Sequence, residues 1–361
     1  MIKLIKPSIS FDSVELELKE IFRSGQFTQG KNVDIFEKSL KKYINIDYVG
    51  LTTSATTALS LSLRVMGVKQ GDKVAVSDYS WPASSNVIEE IGAVPIFIDV
   101  DPETFNMCPK DLTKKINSDV SAVIFVDTFG NPSGIDEINK ICKGYKVPLL
   151  EDAACALGSE INNIKVGAYS DITCFSFHPR KVLNTGEGGA IATNNKNYSD
   201  LFKVKLAAGA SSKAEVGLNF TDYGFNFRMT EIQALLGWKQ LLDLDNYVEK
   251  RREIKDEYIS LLEKYAFVPQ KINENVYHNC QSIVFKVPEN ILRNELVNYL
   301  LEKDIESTLG TYCLSGTEFN QQKYDDVQTN SSLIDSIAIT LPCYSGINTS
   351  KVVNEIISFL S

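Results

Sequence analysis

Two short stretches of this chain carry residue types that can do chemistry together. One ends a strand-like apolar run in Leu150-Glu151-Asp152-Ala153-Ala154. The other runs Phe175-Ser176-Phe177-His178-Pro179-Arg180-Lys181 and leads into Thr185-Gly186-Glu187-Gly188-Gly189. A lysine amine attacks an aldehyde only when unprotonated, so a Schiff-base lysine needs a partly desolvated setting. Lys181, between apolar strand and glycine turn, has one. A carboxylate such as Asp152 can keep a pyridine nitrogen protonated and so make the ring an electron sink. Taken singly, lysines are mostly solvated and an aspartate after a strand is mostly a cap or turn former. The pair together points to pyridoxal chemistry.

The same chemistry needs a cradle for a phosphate dianion. A helix N-terminus with hydroxyls beside its free N–H groups is a natural one. Thr52-Thr53-Ser54-Ala55-Thr56-Thr57 precedes a helix-like run through Leu59, Leu61 and Leu63, and Ser176 can add a further hydroxyl. Standing alone, this motif would be a plain helix cap. Trp81, in Asp78-Tyr79-Ser80-Trp81-Pro82, follows another strand-like run, where a flat aromatic can stack on a ring, although most large aromatics are core.

Such residues must be positioned by a sheet. Apolar runs of strand length recur at Lys73–Ser77, Val94–Ile98, 122–126, 147–150, Ile172–Ser176 and 190–193, separated by helical patterns. Continuous rather than alternating hydrophobicity predicts strands buried on both faces, hence a mostly parallel central sheet covered by helices. In such a sheet ligands bind at the carboxyl ends of the strands. A long helical pattern over 229–264 follows, with a charge-rich solvated face. A strand near 282–287, a helix near 292–303 and a terminal helix from Ser350 then read as a smaller α+β unit. The 361 residues exceed what one core usually organises, so we expect a large α/β domain over 1–245 and a small C-terminal α+β domain over 246–361.

The net charge of -9 disfavours nucleic acid as a partner, because phosphate backbones demand a basic surface. The seven cysteines are scattered, with no C-x-x-C pair, which fits reduced thiols and a cytoplasmic location. His178 and His278, far apart in sequence, give little support to a histidine metal site. Neither a signal-length apolar run at the start nor a later run of about 18 apolar residues is present, so no membrane segment is expected. Gly186-Glu187-Gly188-Gly189 is not G-x-G-x-x-G and precedes a strand rather than opening a helix, which sets aside a nicotinamide oxidoreductase.

Eight ordered blocks, at 24–30, 54–59, 92–100, 151–154, 175–181, 186–189, 223–229 and 341–344, resemble the DegT/DnrJ/EryC1/StrS sugar aminotransferases, of fold type I in the aspartate aminotransferase superfamily. The resemblance implies a pyridoxal 5′-phosphate cofactor, passing through pyridoxamine 5′-phosphate during turnover. It implies Lys181 as the Schiff-base lysine, Asp152 on the pyridine nitrogen, Trp81 on the ring face, and Ser54, Ala55 and Ser176 around the phosphate. It further implies that Asn226 reaches the phosphate of a neighbouring subunit, in a homodimer with shared sites.

The implied reaction moves an amino group from L-glutamate to a nucleotide-linked keto-sugar, 4-keto-6-deoxy or 3-keto, for surface polysaccharide or glycoconjugate biosynthesis. Lys181 would then serve as general acid and base. Arg180, Arg228 and Lys205 are unranked candidates for the anionic substrate. Two alternatives stand beside it. One is a sugar dehydratase of the same family, against which Lys181 argues, since a histidine holds that position there. The other is a non-catalytic regulatory protein that kept the fold, against which Lys181 and Asp152 together argue. Three positions depart from the common pattern: Ala55 for glycine, Cys155 for glutamine or histidine, and Asp127 for histidine. Around Gly310-Thr311-Tyr312-Cys313, where sugar recognition is expected, the resemblance thins.

Overall fold

A computed structural model describes residues 1–361, Lys213 without its side chain. Strands β1 (Tyr48–Thr52), β2 (Lys73–Ser77), β3 (Val94–Ile98), β4 (Val120–Val126), β5 (Leu149–Asp152), β6 (Ile172–Ser176) and β7 (Gly189–Thr193) form one sheet, in the order β1-β7-β6-β5-β4-β2-β3. All six expected runs are strands, their ends displaced by a couple of residues at most. Strand β1 was not expected. Its apolar run is broken by Gly50, whose missing side chain makes room for Phe202, since a Cβ there would lie 2.8 Å from the Phe202 ring.

Strand β7 runs antiparallel to both β1 and β6, and the remaining neighbours pair in parallel. This reversal has a consequence for the chemistry. The segment from Phe177 to Gly188 becomes the connection between two antiparallel neighbours, closed by the Phe177 N–H donating to the Gly188 carbonyl at 2.8 Å. Lys181 is thereby presented at the carboxyl end of β6. Register places Thr52 opposite Gly189, Gly189 opposite Ser176, and Asp152 opposite Cys174, so the ends of β1, β5 and β6 share one edge.

The helical pattern over 229–264 resolves into two helices, Glu231–Leu241 and Leu244–Leu262. Thr230 and Gln233 form a capping box that starts the first, and the second follows a break at Leu242 and Asp243. The second helix joins two cores. Its Leu244 and Val248 pack with Phe36, Phe175 and Ala190, while Ile254, Tyr258 and Leu262 pack with Phe285, Leu296 and Val353. Burying such stripes out of water is the main force holding the helix in place.

Over the second core lies a four-stranded antiparallel sheet in the order Val268–Pro269, Ile283–Lys286, Ala338–Leu341, Thr308–Leu309. Helices Arg293–Glu302 and Thr349–Leu360 cover it. Ile2 bridges in parallel to Ile305 and packs on this same core, so the first residues of the chain join its last third. Arg251, 6% exposed, fastens the joining helix to the last third of the chain. Its guanidinium donates to the carbonyls of Cys280, Gln281 and Cys343 at 2.8–2.9 Å.

Candidate active site

A cavity of about 460 Å³ opens at the carboxyl edge of the sheet, and Ser54, Ala55, Trp81, Asp152, Ser176 and Lys181 all line it. Six of the seven residues singled out from the sequence are therefore together. The seventh, Asn226, is exposed and does not line the cavity.

The phosphate cradle is built by helix Ala55–Val65. Ser54 is its N-cap, in extended conformation, accepting from the Thr57 N–H at 3.1 Å while the Thr57 hydroxyl accepts from the Ser54 N–H at 3.1 Å. The next N–H groups, of Ala55 and Thr56, have no intrahelical acceptor at such a terminus and can meet an anion. Gly189 matters here because β7 starts against this helix end. A Cβ on Gly189 would lie 2.5 Å from the Ser54 carbonyl carbon and 2.6 Å from the Ala55 nitrogen. Ser176 lies opposite Gly189 in register and adds its hydroxyl to the lining.

Asp152 is 5% exposed. Its carboxylate accepts from the Ser84 hydroxyl at 2.7 Å and from the Ala154 N–H at 3.2 Å, and Ser84 in turn meets Ser80 Oγ at 2.8 Å. Burial pushes the Asp152 carboxyl above its ordinary range, while Ser84, the Ala154 N–H and the Lys181 charge pull it back. Ser84 was not singled out from the sequence, although it stands three residues after Trp81.

Lys181 Nζ donates to Cys155 Sγ at 3.0 Å. The loop carrying it is pinned from the last third of the chain. Gln281 Oε1 accepts from the Val182 N–H at 2.8 Å, and Gln281 Nε2 donates to the Arg180 carbonyl at 2.6 Å. Nothing in the sequence marks Gln281 for this role. His178 lines the cavity too, its imidazole held below its ordinary range by burial. Trp81 is 61% exposed and meets Tyr312 edge-on at 5.7 Å. A large aromatic left open over a cavity marks a place for a ligand to cover it.

Of the three candidate cations for an anionic substrate, Arg180 alone lines the cavity. Lys205 is 5% exposed and paired with Asp222 at 2.8 Å, and the Arg228 guanidinium donates to the Leu206 carbonyl at 3.2 Å.

The donor set fits pyridoxal 5′-phosphate: an amine for the aldehyde, a buried carboxylate for the ring nitrogen, an open aromatic face, and a helix end with hydroxyls for the phosphate. A fold type I α/β transferase site is what this sheet edge defines. The chain belongs to the DegT/DnrJ/EryC1/StrS aminotransferase family, whose profile matches residues 12–360. GDP-perosamine synthase of Escherichia coli O157:H7 is 30% identical over 328 residues, 90% of this chain and 88% of that protein. The UDP-4-amino-4,6-dideoxy-N-acetyl-beta-L-altrosamine transaminase of Campylobacter jejuni strain 81-176 is 36% identical over 240 residues, 66% of this chain and 63% of that one. The PLP form of Spr1654 from Streptococcus pneumoniae aligns at a TM-score of 0.92 with 25% identity, covering 99% of this chain and 97% of that structure. The protein is thus a pyridoxal-phosphate-dependent aminotransferase.

Proposed function

We propose that this aminotransferase carries an amino group from L-glutamate to the ketone of a nucleotide-linked 4-keto-6-deoxy or 3-keto sugar, for surface polysaccharide or glycoconjugate biosynthesis. The observation that carries this reading is the presence of Lys181 and Asp152 on the walls of one cavity that also holds the Ser54 helix start. Bound there, pyridoxal 5′-phosphate supplies an aldehyde for amine capture and a protonated ring as electron sink. Lys181 would hold the cofactor through its amine, and the same amine, when free, would serve as the general acid and base of the site. Asp152, whose carboxyl oxygens accept from Ser84 and the Ala154 N–H, would pair with the ring nitrogen and favour its protonated form. Arg180 is the cation for the sugar nucleotide.

The working unit in this reading is a homodimer, with Asn226 of each subunit reaching the partner's phosphate site. Supporting it is a two-stranded ribbon, Ala210–Lys213 with Leu218–Phe220, whose neighbourhood exposes Val216, Leu218, Phe220 and Tyr223. All seven cysteines are free, in keeping with a cytoplasmic setting, and no helix is long and apolar enough to cross a membrane among the described residues. In this reading the chain divides into a large domain over 1–245 and a small one over 246–361. That division is supported by separate apolar clusters meeting along Leu244–Leu262.

Purified protein loaded with pyridoxal 5′-phosphate should be yellow and bleach on adding L-glutamate. Mass spectrometry after incubation with glutamate and a panel of keto-sugar nucleotides identifies the acceptor. A Lys181→Ala variant that binds and colours like the parent would overturn the lysine assignment.

A further inference from the structure

Behind Asp152 lie two carboxyl groups that the proposed reaction does not use. Asp127 follows β4 and Glu151 lies in β5, and both are fully shielded from solvent. They come from neighbouring strands, Phe125 opposite Glu151 and Val126 opposite Asp152 in register, and lie close enough for each to act on the other's proton. Glu151 Oε2 is well served, accepting from the Ser170 and Thr173 hydroxyls at 2.9 Å each. Glu151 Oε1 and both Asp127 oxygens have no donor among the described residues. The polar ties of Asp127 are main-chain ones: its N–H donates to the Asp152 carbonyl at 3.1 Å and its carbonyl accepts from the Gly130 N–H at 2.9 Å.

Two bare carboxylates cannot face each other in a dry interior, because each lacks water and repels the other. One proton between them removes the repulsion and supplies the missing donor. Donor count decides where it sits. Glu151 has two hydroxyl donors to support a negative charge and Asp127 has none, so the proton belongs on Asp127.

We propose that Asp127 is a protonated acid in the folded protein, donating to Glu151 Oε1, and that this neutral state makes it a positioning residue that leaves Asp152 free to be the anion facing the ring. The last part rests on the proposed role of Asp152. Glu151, Asp152 and Cys155 face Asp127, and the Lys181 amine nearby is bonded to Cys155 while both Asp127 oxygens lack a donor. Burial raises both carboxyls, Asp127 well above its ordinary range and Glu151 to about 7, and the contact between them lowers Glu151 while raising Asp127. Asp127 stands where the family often has histidine, which would bring a donor of its own. The aspartate restores that donor only by keeping its proton.

The test uses the cofactor-free full chain, so that its outcome does not depend on the assignment of Asp152. Infrared spectra of protein labelled at the aspartate side-chain carboxyl should show a protonated aspartic acid band at pH 7 that Asp127→Asn removes and Glu151→Gln shifts. A spectrum that neither variant changes overturns the proposal. Asn mimics the neutral acid, so Asp127→Asn should gain stability relative to the parent as pH rises from 5 to 8, by up to about tenfold in the unfolding constant per pH unit. A stability difference flat across that range also overturns it.

With pyridoxal 5′-phosphate added, Asp127→Asn should keep the pH midpoint of the visible band, since no charge has changed. A moved midpoint overturns the positioning role. Should the parent show the proton but take up no cofactor, the active-site reading fails while the proton assignment stands.

Discussion

The Lys181 amine and the Cys155 thiol are hydrogen-bonded at 3.0 Å on one wall of the cavity, so any group that captures the amine must also pass the sulfur. Cys155 is half-buried there, and of the other cysteines only Cys108 is as accessible.

This contact predicts a protection pattern. Iodoacetamide should label Cys155 and Cys108 in the cofactor-free protein, and pyridoxal 5′-phosphate should slow labelling of Cys155 about tenfold while leaving Cys108 unchanged. Peptide mass spectrometry reads both sites at once. Equal rates at Cys155 with and without cofactor would remove it from the cofactor wall.

Ser84 is expected to set the acid limit of activity. Burial raises the Asp152 carboxyl and the Ser84 hydrogen bond at 2.7 Å lowers it, so Ser84→Ala raises it further. The ionised form that activity needs is then lost earlier as pH falls. The acid limb of the kcat/KM profile should move to higher pH by about one unit, the worth of one charge-assisted hydrogen bond. An unmoved limb would mean that Ser84 does not act on Asp152.

Gly189→Ala should damage the phosphate cradle rather than the lysine. The new Cβ meets backbone atoms of Ser54 and Ala55 at 2.5–2.6 Å, and backbone cannot swing aside as a flexible side chain can. Overpacking of this kind costs about 1–3 kcal/mol. The urea midpoint should fall accordingly, and equilibrium dialysis should show weaker binding of pyridoxal 5′-phosphate. Unchanged values for both would contradict the close approach.

His278 predicts a loss of stability in acid. It is 2% exposed, its Nε2 lies 3.0 Å from the Phe129 carbonyl, and burial lowers it from 6.5 to about 3. The unfolded chain therefore takes up a proton below 6.5 that the folded chain refuses. The contribution of His278 is complete above that pH and drains away towards 3, by at most about 1.4 kcal/mol per unit. His278→Gln should flatten the fall in melting temperature between pH 6.5 and 4. A parallel fall in both proteins would count against it.

How much of this was legible beforehand follows from where each signal resides. The six strands expected from the sequence were found because a strand buried on both faces must be apolar throughout, a local property. Lys181, Asp152, Trp81 and the Ser54 turn were legible for a related reason, since each sits at a strand end or helix start that its own neighbours specify. Strand β1 was not, because Gly50 interrupts its apolar run to make room for Phe202 from another segment, and the break at Leu242 and Asp243 interrupts an otherwise continuous helical pattern.

The sequence by itself determined the chemistry on offer: an amine, a carboxylate, a helix end and a ring face on one sheet edge. Only the tertiary structure decided how those groups are held and charged. Ser84 reaches Asp152 from 68 residues away and Gln281 reaches the lysine loop from 99. Lys205 is taken up by Asp222, and Asn226 is exposed and does not line its own chain's cavity. The bare oxygens of Asp127 and Glu151 meet because β4 and β5 are neighbours. Hydrogen-bond partners and shared protons depend on distances through space and on the loss of water, and spacing along the chain carries neither.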